Sequence, residues 1–97
     1  MEMTLQLFSW SYNIHRLGAS DIALLKQKAE QGDPQYSYMY GRYHYCVRPE
    51  PDSVAQAYNL YKVALEGGVV DAKVALAIMW YAGDMGMVNV EKGSELL

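Results

Sequence analysis

Apolar residues recur along this chain at helical spacing in one segment after another, and each segment stops at a glycine or a proline. Met3, Leu7, Trp10, Ile14 and Leu17 share one helical face and predict a helix over residues 3–17. Gly18 then offers a residue that tolerates the left-handed conformation at a helix end. Phe8, Trp10, Tyr12 and Ile14 also alternate as a strand would, but the helical pattern is longer and ends at a stop signal, so it is preferred. Ser20 or Asp21 caps the next helix, which has Ile22, Leu25 and Ala29 as its buried stripe and stops at Gly32. Pro34 suits a first helical turn and opens a helix over 34–46; Pro49 and Pro51 make 47–52 a loop.

Asp52 or Ser53 caps a helix over 53–66, whose Val54, Ala57, Tyr58, Tyr61, Ala64 and Leu65 keep helical spacing before Gly67 and Gly68. Asp71 starts the most apolar helix, to Ala82, in which residues 74–80 are an unbroken apolar run. A helix apolar on most sides is expected to be sandwiched between neighbours. Gly83, Asp84 and Gly86 form the following loop, and Asn89 caps a last segment ending at Leu97.

The two glycine stops are also the centre of a repeat. Ala29, Glu30 and Gly32 correspond to Leu65, Glu66 and Gly68 at an offset of about 36 residues, which lays Tyr40 on Leu76, Tyr45 on Tyr81 and Ser53 on Asn89. That length is one helix pair. A pair this small cannot bury its apolar face alone, so the copies must stack. The chain then divides as one helical-repeat domain over 1–97: a degenerate first pair at 1–32, a first repeat at 33–68, and a second repeat at 69–97 with a truncated last helix. The register carries that last helix to about residue 102, which leaves Leu96 and Leu97 as an uncovered apolar end. They predict either a homodimer through this end or a continuation into a longer protein.

Composition narrows the function classes. With 97 residues, 52% hydrophobic and 20% charged, the chain is a small globular domain rather than a charge-rich disordered one. A net charge of −3 disfavours nucleic acid, whose backbone selects clustered Lys and Arg, and points to a basic or neutral protein partner. A single cysteine, Cys46, gives neither an internal disulfide nor a metal-ligand pair, so a reducing, cytoplasmic location is expected. The Met-Glu-Met start shows no secretory pattern, and no stretch reaches the ~18 apolar residues of a membrane span.

Ala57, Leu60 and Tyr61, Ala64, Glu66, Gly68 and Ala72 occupy the places of a pattern that runs Ala, an aromatic pair, Ala, Glu, Gly and a further Ala, with Leu60 standing for the first aromatic. In this the chain resembles the Sel-one-like repeat, a relative of the tetratricopeptide repeat. Ala29, Glu30, Gly32 and Gly41 fit the same pattern earlier in the chain, and Leu76 and Gly83 fit it later. The resemblance spans about residues 20–97. It implies a right-handed α-α superhelix of stacked antiparallel helix pairs, about six helices in all, with the first helices lining a concave face. It also implies a scaffold or adaptor role without enzymatic activity. Tyr36 stands where the family has a small Ala, and must splay the first pair or turn outward. Val47 and Pro49 replace loop glycines, and Asp21 and Gly93 stand where a buried Ala is expected.

Nine tyrosines against one Phe and two Trp are the chain's most unusual feature. In the helix at 34–46, Tyr36, Tyr40 and Tyr43 share one face while Tyr38 and Tyr45 share another, so some rings must meet solvent. Tyr beside Arg42 and Arg48 is the residue mix of binding hot spots; partly buried packing with wet hydroxyls is the plainer reading. The candidate partner contacts are Tyr38, Arg42, Tyr45, Lys73 and Tyr81, on a concave face built from 34–46 and 71–82. The partner is a protein of unnamed identity; nucleic acid, membrane, metal and cofactor are not expected.

Two rival readings stay open. One is a bacterial immunity or regulatory protein that neutralises a toxin. The other is a small hydrolase using Cys46 with His15 or His44, disfavoured because nothing in the sequence activates the thiol. His44 and Cys46 lie on different helical faces, which argues against zinc. Glu30, Asp33, Glu50, Asp52, Glu66 and Asp71 cluster at helix ends and read as caps. Met85 and Met87 sit in a glycine-rich loop and read as ordinary packing.

Overall fold

Three of the helices end on the same backbone device, and these turns set the path of the chain. A computed structural model describes residues 14–47, 50–84, 86 and 88–97. Within them run a 3-10 turn at Ile14–Arg16 and five α-helices: α1 Ala19–Glu30, α2 Pro34–Cys46, α3 Ser53–Glu66, α4 Val70–Ala82 and α5 Val90–Leu96. The described residues contain no strand. Most of the helix expected over 3–17, together with Arg48, Pro49, Met85 and Met87, lies outside the described residues.

At the end of α1, Gly32 N–H donates to the Ala29 carbonyl and Asp33 N–H to that of Lys28. At the end of α3, Gly68 and Val69 make the same pair of bonds to Leu65 and Ala64, and at the end of α4 Gly83 and Asp84 make it to Trp80 and Met79. This is the Schellman closure, which needs a left-handed residue; Gly32 and Gly68 supply it with φ of 87° and 95°. Gly18 behaves otherwise than expected. Its φ of −80° and ψ of 171° are extended, and it caps the start of α1, where its N–H donates to Asp21 Oδ2. At the other helix starts, Asp33 accepts from the N–H groups of Gln35 and Tyr36, and Asn89 from that of Lys92. The Ser53 hydroxyl accepts from Glu50 N–H, and so braces the loop before α3.

The strongest packing is between helices consecutive in sequence: α1 with α2, α2 with α3, α3 with α4 and α4 with α5. The chain folds tightly, with a radius of gyration of 12.9 Å against about 13 Å for a typical domain of this size. Two clusters fill the interior. Ala57, Tyr61, Ala64, Ala72, Leu76 and Met79 form the larger, between α3 and α4, with Tyr38, Tyr45 and Leu96 packed against it. Ile14, Leu25 and Met39 form the smaller, with Tyr36, Tyr40 and Tyr43 around it. The two tyrosine faces of α2 thus serve two different cores. Tyr36 turns its ring into the smaller cluster and is half-buried there.

α4 departs from the expectation of a sandwiched helix. It buries Ala72, Leu76, Ala77 and Met79, but Val70, Val74, Ile78 and Tyr81 are 71%, 45%, 52% and 36% exposed. α3 and α5 cover two of its flanks and leave a third open.

A close contact joins the middle of α2 to α3. A Cβ at Gly41 would stand 2.8 Å from the Tyr61 ring, and Tyr61 is only 3% exposed, so the ring has little room to give. Nearby on α2, the fully buried Ser37 hydroxyl has no hydrogen-bond partner among the described residues. Overpacking costs about 1–3 kcal/mol and the gain in helix propensity returns about 0.5–1. Gly41→Ala is therefore expected to lower unfolding stability by about 1–2 kcal/mol in urea titration. In the same assay Ser37→Ala is expected to be neutral or to gain up to ~1 kcal/mol, since it removes an unpaired buried polar group.

Candidate functional site

Because neighbours in sequence are neighbours in space, alternate helices frame the grooves. α2 and α4 form the walls of one cleft, and α3 contributes its floor. Tyr38, Arg42, Tyr45 and Cys46 line it from α2, Tyr61 from α3, and Asp71, Val74, Ala75 and Ile78 from α4, around a volume of about 300 Å³. On each wall helix these positions recur at three- and four-residue steps, so each set occupies one face.

Two ties hold the walls. At the start of α2, Pro34 lies against Gly67, where an added Cβ would come within 2.4 Å of Pro34 Cβ. At the other end, the hydroxyl of Tyr45, in the last turn of α2, donates to Oδ2 of Asp84, just past the end of α4. The two helices therefore begin together and end together, running side by side in the same direction. Between the ties the Tyr38 and Tyr61 rings meet at 5.8 Å, tilted by 42°.

The phenols of this cleft are poor acids. Burial is the main cause for all three. It pushes Tyr61 well up, and it raises Tyr38 against the opposing charge of Arg42. Tyr45 is pushed up to about 12 by burial, then by its hydrogen bond to Asp84 and that carboxylate's charge. Near neutral pH the cleft thus offers neutral hydroxyls, apolar side chains, one cation at Arg42 and one anion at Asp71. It carries charge on both walls and an apolar centre.

A second cleft, of about 520 Å³, opens between α1 and α3 with α2 as its floor. Ile22, Lys26, Ala29 and Glu30 come from α1, Tyr40, Tyr43 and His44 from α2, Gln56 and Leu60 from α3, and Asp52 from the cap just before α3. His44 is 5% exposed, and its ring lies 4.4 Å from that of Tyr40 and 5.7 Å from that of Tyr43. Cys46 is exposed and lines the other cleft. The pairing of Cys46 with His44 weighed from sequence is thus split between two clefts. Among the described residues no group of three or more His, Cys, Asp or Glu stands together as a metal site, and no helix is long and apolar enough to cross a membrane.

Of the five contact residues named from sequence, Tyr38, Arg42 and Tyr45 line the α2–α4 cleft. Lys73 and Tyr81 do not. The Tyr81 hydroxyl is 3.0 Å from Ser94 Oγ, and its ring lies against Gly93, so Tyr81 holds α5 on α4. Trp80 adds to this join by carrying Lys92 over its ring at 4.5 Å, and it meets Tyr58 of α3 edge-on at 6.3 Å. Leu96 packs against the larger core cluster, while Leu97 is 67% exposed. Asp71, Val74, Ala75 and Ile78 were not singled out from sequence, although their helical spacing on the α4 segment marks one face. Asp84, the partner of Tyr45, carried no signal beyond its place in a glycine-rich loop. Compared with family models, with curated proteins and with solved structures, the chain gives no match.

The pH dependence of stability comes from the raised phenols. An unfolded Tyr loses its proton near pH 10, whereas folded Tyr45 keeps it to about 12. In that interval the folded state binds more protons, so stability is fully present below pH 10 and falls as pH rises through 12. Tyr45→Phe removes one titrating group. Thermal melts at pH 9 and pH 11.5 are expected to show a smaller drop in Tm for this variant than for the wild type.

Proposed function

We propose that this chain is a non-enzymatic protein-binding module, a scaffold or adaptor of the Sel-one-like kind, which receives its partner in the cleft between α2 and α4. The observation that carries the reading is the make-up of that cleft: three tyrosines, Val74, Ala75 and Ile78, with Arg42 and Asp71 on opposite walls. Aromatic and aliphatic anchors around a charged pair are what a protein surface recognises. Tyr38, Arg42 and Tyr45 are the contacts on α2, and Val74 and Ile78 those on α4.

The repeat reading has its own support. The turns at Gly32 and Gly68, about 36 residues apart, close with the same two hydrogen bonds. Each is followed by a helix that lines the same cleft. Stacked antiparallel helix pairs coiling as a right-handed superhelix account for both facts. In that arrangement α2 and α4 are the inner helices of successive pairs, and the α2–α4 cleft is the concave face.

A photo-reactive amino acid at Ile78, compared with one at Ala23 on the exposed side of α1, tests the binding face in the living cell. Crosslinked protein adducts are expected from Ile78 and not from Ala23. Equal yields at both positions, or none at either, would refute the reading.

A further inference from the structure

The floor of the α2–α4 cleft holds a hydrogen-bonding group that the fold itself leaves unused. Tyr61 is only 3% exposed, and its hydroxyl has no hydrogen-bond partner among the described residues. Its ring is what meets Gly41 and Tyr38, and neither contact engages the oxygen. The unpaired Ser37 hydroxyl is sealed from solvent, whereas the Tyr61 oxygen is not and opens into the cleft that the residue lines. Cys46, Tyr38, Arg42 and Tyr45 stand close enough for their charges to act on it. Burial pushes this phenol well up, so near neutral pH it keeps its proton and is a donor.

We propose that this cleft binds a small neutral molecule with an apolar body and one carbonyl oxygen, which accepts the hydrogen bond of the Tyr61 hydroxyl while the body lies against Val74, Ala75 and Ile78. Each part of that description answers a feature of the site. The donor at the floor calls for an acceptor, and a carbonyl brings no donor of its own to be left unpaired against the apolar wall. Arg42 and Asp71 stand on opposite walls, so a charged ligand loses at one what it gains at the other. Size sets the last limit. An apolar cavity of ~150 Å³ takes a benzene ring, and the volume here is about 300 Å³, at the lower end of small-ligand pockets.

This ligand goes beyond the protein partner and does not depend on it. A buried floor residue is within reach of a molecule that enters the cleft, not of a flat surface laid across its rim.

Acetophenone, a benzene ring bearing one carbonyl, is the probe. It is titrated to about 20 mM, above the millimolar dissociation constant expected of so small a molecule, into the full chain with isotope-labelled methyl groups. Resonance shifts are expected at Val74, Ala75 and Ile78 and not at Ala23 on the exposed side of α1. Benzoate and benzylammonium keep the ring but carry a charge that must be desolvated, and are expected to bind roughly tenfold more weakly. Tyr61→Phe keeps the ring that packs on Gly41 and removes only the donor. It is expected to be as stable as the wild type or more so, since no hydrogen bond is lost, and to weaken acetophenone roughly three- to tenfold, the worth of one neutral hydrogen bond. Tyr43→Phe, in the other cleft, leaves the affinity unchanged. No shift at those three methyl positions, charged analogues that bind as well as the ketone, or a Tyr61→Phe protein that keeps full affinity or loses stability overturns the proposal. If N-acetyl-leucine N-methylamide shifts these methyl groups through Tyr61 and acetophenone does not, the acceptor is a peptide carbonyl: the small molecule is lost and the protein-binding reading stands.

Discussion

The close approach of Tyr61 to Gly41 is the contact on which the rest of the structure depends. One ring sits in the notch left by an absent side chain, and so brings α2 onto α3 closely enough to seal the larger core. That ring also forms the floor of the α2–α4 cleft and meets Tyr38 on its wall. A single aromatic therefore links the packing of the fold to the shape of the surface. It also explains why the cleft phenols resist ionisation, since the burial that holds the helices together is the same burial that disfavours a phenolate.

The array of helices makes two surfaces of different character. Where α2 and α4 flank α3, the cleft is aromatic and aliphatic with one charge on each wall. Where α1 and α3 flank α2, it is wider and lined by Lys26, Glu30, Asp52, Gln56 and His44 among its tyrosines. The tyrosines of α2 serve both, Tyr38 and Tyr45 lining the first and Tyr40 and Tyr43 the second. Tyr36, Tyr38, Tyr40, Tyr43 and Tyr45 are all half-buried.

The boundaries of α2 to α5 were legible in the sequence to within a residue or two, for an identifiable reason. Pro34, Asp33 and Asn89 begin helices, and Gly32, Gly68 and Gly83 end them, through local backbone chemistry that does not depend on what packs nearby. The face of α2 that lines the cleft was legible too, from the spacing of Tyr38, Arg42 and Tyr45. The α4 wall was not. In an almost continuous apolar run every face looks buried, so periodicity could not tell the inward Leu76 and Met79 from the open Val74 and Ile78. Gly18 was misjudged because a glycine can end one helix or begin the next, and Asp21 decides the matter by taking its N–H. The bond from Tyr45 to Asp84 joins residues 39 apart in sequence, and only the folded path brings them together.

The two ties across the α2–α4 cleft have a mechanical consequence. With Pro34 wedged against Gly67 at one end and Tyr45 held by Asp84 at the other, the walls are fixed like the long sides of a frame joined at both corners. Such a frame does not swing open on a hinge. Were a partner to enter this cleft as proposed, side-chain rotation would adapt to it while the backbone spacing is already set. Little ordering entropy would then be left to lose on association, and a guest of the wrong width would meet a barrier of shape rather than a slow closing motion.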